Sequence, residues 1–216
     1  MSFKLINKSI IFLHIPKCGG SSVFRTLKSH KFIEYRLPST HDSISNYLNK
    51  NITADIFFTQ VRNPYFRFYS QYHFMVETIN KRIKGELPLK GRTIEYYNRV
   101  LNYLIKIEFE GYVNLLIDLN KRNAFFEEFD NIGHLAFQRI VGFLNEKVNL
   151  KVFKLEDGNI WSFIKKMGYN VEYTFHEKKS SYRTVSYNSE LSEIVYNYFK
   201  EDFIKYNYQK DSWLTN

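Results

Sequence analysis

The chain has 216 residues, enough for one domain with a substantial buried core, and 44% hydrophobic content with 18% aromatics excludes a disordered or low-complexity protein. A formal charge of +9 points to an anionic partner: nucleic acid, an anionic membrane, or an anionic small molecule or glycan. The basic residues are scattered, without a basic tail or nucleic-acid motif, which argues against nucleic acid, and the lone Cys18 excludes an intramolecular disulfide and favours a reducing compartment.

The N-terminal stretch MSFKLINKSIIFLHIPK carries an apolar run too short to span a bilayer and no small-residue cleavage site. It reads as the first strand, buried on both faces over Ile10 to Ile15, in a cytoplasmic protein without a transmembrane segment. Pro16, Lys17, Cys18, Gly19, Gly20, Ser21 and Ser22 follow, and Val23 to Lys28 continue as a helix. A strand entering a glycine-rich turn and then a helix presents backbone N–H groups at a positive helix end, which suits a phosphate-like anion. The two glycines allow close approach, the serines add hydroxyls and Lys17 adds a mobile charge, although an ordinary bend would also use glycine here. The triphosphatase pattern G-x-x-x-x-G-K-[ST] is absent, because the lysine precedes the glycines. Nothing else supports Cys18 as a nucleophile, so it reads as a spacer contributing its backbone N–H.

Lys31 to Tyr35 fit a brief strand. In LPSTHDSISNYLNK, Ser39 or Thr40 can cap a helix with Ile44, Tyr47 and Leu48 on one side, which puts His41 near its positive end, where the dipole favours the neutral ring of a proton acceptor. A capping or surface role is the plainer alternative. The stretch DIFFTQVRNPYFRFYSQY supplies an apolar strand from Ile56 to Val61 ending at Arg62, then Asn63 as N-cap, Pro64 at the first helical position and a helix through Tyr72. Ser70 lies roughly 9 Å along that helix from Pro64, so a long Arg62 side chain beside it could share an anion with the Ser70 hydroxyl.

Residues 74–130 read as a mostly helical insertion, broken at Pro88 and Gly91, whose basic residues Lys81, Arg82, Lys84, Lys90 and Arg92 could face a glycan but fit a solvated surface better. Next come a helix over Ile132 to Gly142 with His134 near its start, a strand over Lys151 to Leu155, and a short helix from Trp161 to Met167 closed by Gly168. The polar loop HEKKSSYRTVSY carries Lys178, Lys179, Ser181 and Arg183, able to close over a ligand, and Ser189 caps a helix from Glu190 to about Tyr206. Strands alternating with helices, with no repeat or linker, predict one α/β domain with a mostly parallel sheet flanked by helices and a ligand at the carboxyl ends of the strands.

HIPKCGGSS followed by VRNPYFRFYSQY resembles the two cofactor signatures of sulfotransferases that use 3′-phosphoadenosine 5′-phosphosulfate (PAPS), especially the heparan sulfate 2-O type and bacterial relatives. The likeness extends more loosely through STHDSISNYL, VFKLED and SYRTVSYNSELSEIVYNYFKEDFIKYNY. The resemblance implies a P-loop-like sulfotransferase fold in which Lys17, Cys18, Gly19, Gly20, Ser21 and Ser22 grip the 5′-phosphosulfate, while Arg62 and Ser70 grip the 3′-phosphate, aided by Ser181 and Arg183. It also implies that His41 lies near an acceptor hydroxyl as base and that Gln138 and Glu156 match family positions; His134, at its helix start, is the second choice of base, against a plain local hydrogen-bonding role. The implied reaction carries a sulfuryl group from PAPS to the hydroxyl of a carbohydrate or other small molecule, with Lys17 on the leaving oxygen and no metal. Two rivals are a P-loop-type nucleotide kinase, which should show a lysine after the glycines and acidic residues for magnesium, and a noncatalytic polyanion binder, which would explain the charge but not the paired loops.

Overall fold

The computed structural model describes residues 1–129, 137–145, 147–172 and 187–214. The chain divides into two compact units, each built from three separated segments. The first, a sheet unit, comprises Met1–Asn63, Gln138–Lys179 and Glu201–Tyr208; the second, a helical unit, comprises Pro64–Phe137, Ser180–Lys200 and Gln209–Asn216.

The sheet unit holds β1 (Phe3–Leu5), β2 (Ile10–Leu13), α1 (Gly20–Ser29), β3 (Ile33–Arg36), α2 (Ile44–Asn49), β4 (Ile56–Val61), β5 (Leu150–Lys154) and α6 (Ile160–Lys166), with most of α8 (Lys200–Lys205). Its five strands run in the order β3-β1-β2-β4-β5. β2, β4 and β5 are mutually parallel, while β1 is antiparallel to both β2 and β3, so the sheet is mixed where the sequence predicts a mostly parallel one. The cause is the short link from Leu5 to Ile10, which turns through Asn7 at φ 59°. So brief a connection can only return the chain antiparallel, since a parallel neighbour needs a crossover of about a dozen residues or more.

The strand period of two sends Ile10, Phe12 and Phe58 to one face, where they meet Val23, Phe24 and Leu27 of α1 and Ile160 and Ile164 of α6. Phe3 stacks on Phe12 at 5.0 Å between ring centres. Burying one large apolar side chain stabilises by about 1.5–3 kcal/mol, so the three from α1 outweigh the few tenths of a kcal/mol that a glycine N-cap forgoes relative to Ser, Thr, Asp or Asn, the case for α1 with Gly19. Packing therefore holds α1 while its first N–H groups stay uncommitted. α6 ends at Gly168 (φ 89°), whose N–H donates to Lys165 O at 2.9 Å, as predicted for its closure.

The predicted helix over Ile132 to Gly142 lies partly outside the described residues; of its remainder, Ile140–Phe143 forms a 3-10 turn. The Asp202 carboxylate of α8 accepts the N–H groups of Ile140 at 2.7 Å and Val141 at 2.9 Å. The single helix predicted from Glu190 to Tyr206 is two: Asn188, not Ser189, caps α7 (Ser189–Tyr198), and α8 follows.

The helical unit comprises α3 (Pro64–Ile83), α4 (Ile94–Ile117), α5 (Leu119–Glu128) and α7. α4 is interrupted at Glu108 (φ 54°, ψ −169°). There the Tyr72 hydroxyl of α3 donates to the carbonyl of Leu104, four residues earlier, at 3.2 Å, at the point where the intrahelical ladder breaks. Among the described residues no helix is long and apolar enough to cross a membrane.

Candidate functional site

The glycine turn leaves β2 at His14, whose ring is buried and faces Gly20 closely enough that a Cβ there would lie 2.7 Å from Nε2. Pro16 and Lys17 occupy the centre of a tight turn closed by Cys18 N–H to Ile15 O at 3.3 Å. Lys17 has φ 64°, the left-handed value a type II turn demands at its third position and one that glycine normally supplies. Gly19, at φ 78°, is the N-cap of α1 and makes no side-chain cap.

The turn spends two of its expected anion donors internally. Cys18 N–H goes to Ile15, and Ser22 N–H goes to Gly19 O at 3.0 Å. The backbone donors narrow from Cys18–Ser22 to Gly19, Gly20 and Ser21, whose N–H groups have no partner among the described residues. Cys18 is buried, as a spacer should be.

Arg62, at the carboxyl end of β4, reaches this turn: its Nη1 donates to Lys17 O at 3.5 Å. Burial pulls the Arg62 guanidinium below its ordinary pKa, opposed by the nearby Cys18, Glu156 and Tyr208. Glu156, the carboxylate among these, is itself engaged, because it accepts the Asn63 N–H at 2.9 Å and the Tyr208 hydroxyl at 3.0 Å. Burial first, and then Glu156, raise the Tyr208 pKa, so the phenol stays protonated and donates. A partly desolvated guanidinium with one long hydrogen bond is suited to receiving an external anion.

His41 also meets the turn. The helix expected to start at Ser39 or Thr40 starts later, since the Ser43 hydroxyl caps α2 by accepting Asn46 N–H at 3.1 Å. His41 thus precedes the cap, and α2, with six residues, is too short for the dipole argument to carry weight. A different contact orients the ring: its Nδ1 lies 3.2 Å from the His14 carbonyl oxygen. A carbonyl only accepts, so Nδ1 carries the proton and Nε2 of the neutral ring holds the lone pair. The two imidazoles are 4.7 Å apart between centres.

Lys17, Cys18, Gly19, Gly20, Ser21, Ser22, His41 and Arg62 are thereby assembled in the sheet unit, together with Glu156. Ser70 sits half-buried on α3 of the helical unit. His134, Lys178, Lys179, Ser181 and Arg183 lie outside the described residues. Gln138 is exposed and precedes the 3-10 turn. Sequence reasoning missed His14, Tyr208 and Gln60. Gln60 had a legible signal, an amide inside the run IFFTQV that otherwise reads as a buried strand; Tyr208 had none. Among the described residues no group of three or more His, Cys, Asp or Glu could hold a metal ion. Comparison with protein-family models, curated proteins and solved structures finds no match for this chain.

Proposed function

We propose that this protein is a PAPS-dependent sulfotransferase that sulfates the hydroxyl of a carbohydrate or another small molecule. The observation that carries the reading is the approach of Arg62 to Lys17 O, which joins the two motifs that resemble the family's cofactor signatures at the carboxyl ends of adjacent parallel strands. Ligands of open α/β sheets bind at such ends.

In this reading the N–H groups of Gly19, Gly20 and Ser21, with Lys17 and the serine hydroxyls, receive the 5′-phosphosulfate. Arg62, and by resemblance Ser70, Ser181 and Arg183, serve the 3′-phosphate. His41 Nε2 takes the acceptor's hydroxyl proton while the acceptor oxygen bonds to sulfur and the bond from sulfur to the bridging oxygen breaks. Lys17 neutralises the charge left on that oxygen. Positioning and fixed donors account for the rate, as in phosphoryl transfer, with each well-placed donor worth about 3–4 kcal/mol.

Calorimetry with adenosine 3′,5′-bisphosphate and with ATP tests the assignment. The bisphosphate should bind more tightly, and Arg62→Ala should weaken it by roughly tenfold or more, as expected for a hydrogen bond to a charged group. Preference for ATP would support a kinase, and binding of neither a noncatalytic polyanion binder. The acceptor is to be found by offering hydroxylated glycans, lipids and small molecules with labelled PAPS.

A further inference from the structure

Gln60 has no task in the mechanism above, yet its buried side chain lies against the glycine turn. It lies in β4 in register with Phe153 of β5, on the same face as Phe58. It is 3% exposed, and its Oε1 has no hydrogen-bond partner among the described residues. A Cβ built on Gly19 would lie 3.3 Å from that oxygen and 2.7 Å from Leu155 Cδ1, so the amide oxygen faces the uncapped start of α1 beside the Leu155 side chain. Thr59, the preceding residue on the opposite face, is satisfied, since its hydroxyl donates to Leu13 O at 2.7 Å. An unpaired amide in a buried strand is destabilising, and an apolar residue of similar size would avoid the cost.

We propose that the Gln60 carboxamide is an anion-binding group of the turn, donating to an oxygen of a bound phosphoryl or sulfuryl group. The two ends of a carboxamide are nearly equal in shape, so a half-turn about Cγ–Cδ replaces Oε1 with Nε2 at the same spot. The amide then acts beside the N–H groups of Gly19, Gly20 and Ser21. All of these are donors, which matches an oxyanion whose oxygens only accept. The inference rests on the anion-binding reading of the turn and requires a tetrahedral oxyanion, not a particular nucleotide.

Gln60→Met and Gln60→Leu remove the donor while keeping bulk. Each is compared with the wild type by calorimetry against adenosine 3′,5′-bisphosphate and against inorganic pyrophosphate, and by thermal unfolding without ligand. Both variants should unfold at or above the wild-type temperature and bind each ligand about tenfold more weakly, whereas a purely structural Gln60 would lower the unfolding temperature. The Gln60 side-chain amide resonances of the wild type should also shift on saturation with pyrophosphate, a readout that needs no variant. Unchanged affinity in folded variants, or unmoved amide resonances, overturns the inference. If the bisphosphate binds without any dependence on Gln60, the sulfotransferase reading survives and this inference falls. If pyrophosphate binds through Gln60 and the bisphosphate does not bind, the reverse holds; binding of neither removes both.

Discussion

Gly20→Ala sets two effects against each other at one position. Gly20 is the first residue of α1, so helix preference alone favours alanine by up to about 1 kcal/mol. Packing opposes it, because the new Cβ would lie 2.7 Å from His14 Nε2 and 2.9 Å from its Cγ. The imidazole has little room to tilt away: it is 8% exposed and has the His41 ring 4.7 Å from its centre. Overpacking of this kind costs about 1–3 kcal/mol, so Gly20→Ala should lose about 1 kcal/mol net. Removing the ring with His14→Ala abolishes the clash, and in the double variant the alanine should become neutral or stabilising, a coupling of about 1–3 kcal/mol. Urea unfolding followed by the fluorescence of Trp161, which packs against the sheet core, reads this out in a Trp213→Phe background. With an m value of about 1–3 kcal/mol per molar urea, the single variant's midpoint should fall by roughly 0.3–1 M. A midpoint that rises, or a cycle additive within about 0.5 kcal/mol, refutes the packing argument.

Lys17→Ala should lower turnover of labelled PAPS at least about a hundredfold, the scale of one lost charge-stabilising donor, with a smaller change in the affinity for adenosine 3′,5′-bisphosphate measured by calorimetry. His41→Ala should lose turnover while keeping that affinity; full activity would move the base elsewhere. His73, packed on the Tyr69 ring at 4.2 Å and the Tyr72 ring at 5.2 Å, has its pKa lowered from 6.5 by burial. Above 6.5 the ring is neutral in both folded and unfolded chains, but below it the unfolded chain takes up the proton more readily, so stability should fall with pH. His73→Phe should make the acid limb of the unfolding midpoint shallower, and an unaltered limb would show that another group sets it.

The central strands were legible because burial on both faces writes them as continuous apolar runs: β4 matches Ile56 to Val61 and β2 begins at Ile10, as read. The glycine turn and the proline start of α3 were also readable, since each depends on residue types with fixed backbone preferences. β1 was not, because a three-residue strand whose Lys4 lies between buried Phe3 and Leu5 has too little pattern to stand apart from β2. The start of α2 slipped from Ser39 or Thr40 to Ser43, since all three can cap and the choice rests on tertiary contacts: the Ser39 carbonyl accepts the Tyr47 hydroxyl at 2.6 Å, and the Thr40 carbonyl accepts the Ser2 hydroxyl at 3.3 Å. Residue types revealed the turn as a candidate anion site, but which N–H groups remain available depends on hydrogen bonds that only the folded backbone defines.

The sheet unit takes its final segment, Glu201–Tyr208, from far along the chain. During synthesis the strands emerge well before Asp202, which satisfies the Ile140 and Val141 amides, and before Tyr208, which steadies Glu156 at Asn63. The bracing beside the glycine turn therefore arrives late: a ribosome-stalled product ending before residue 208 would contain both the glycine turn and Arg62 yet lack Tyr208, which holds Glu156 against the Asn63 amide next to Arg62.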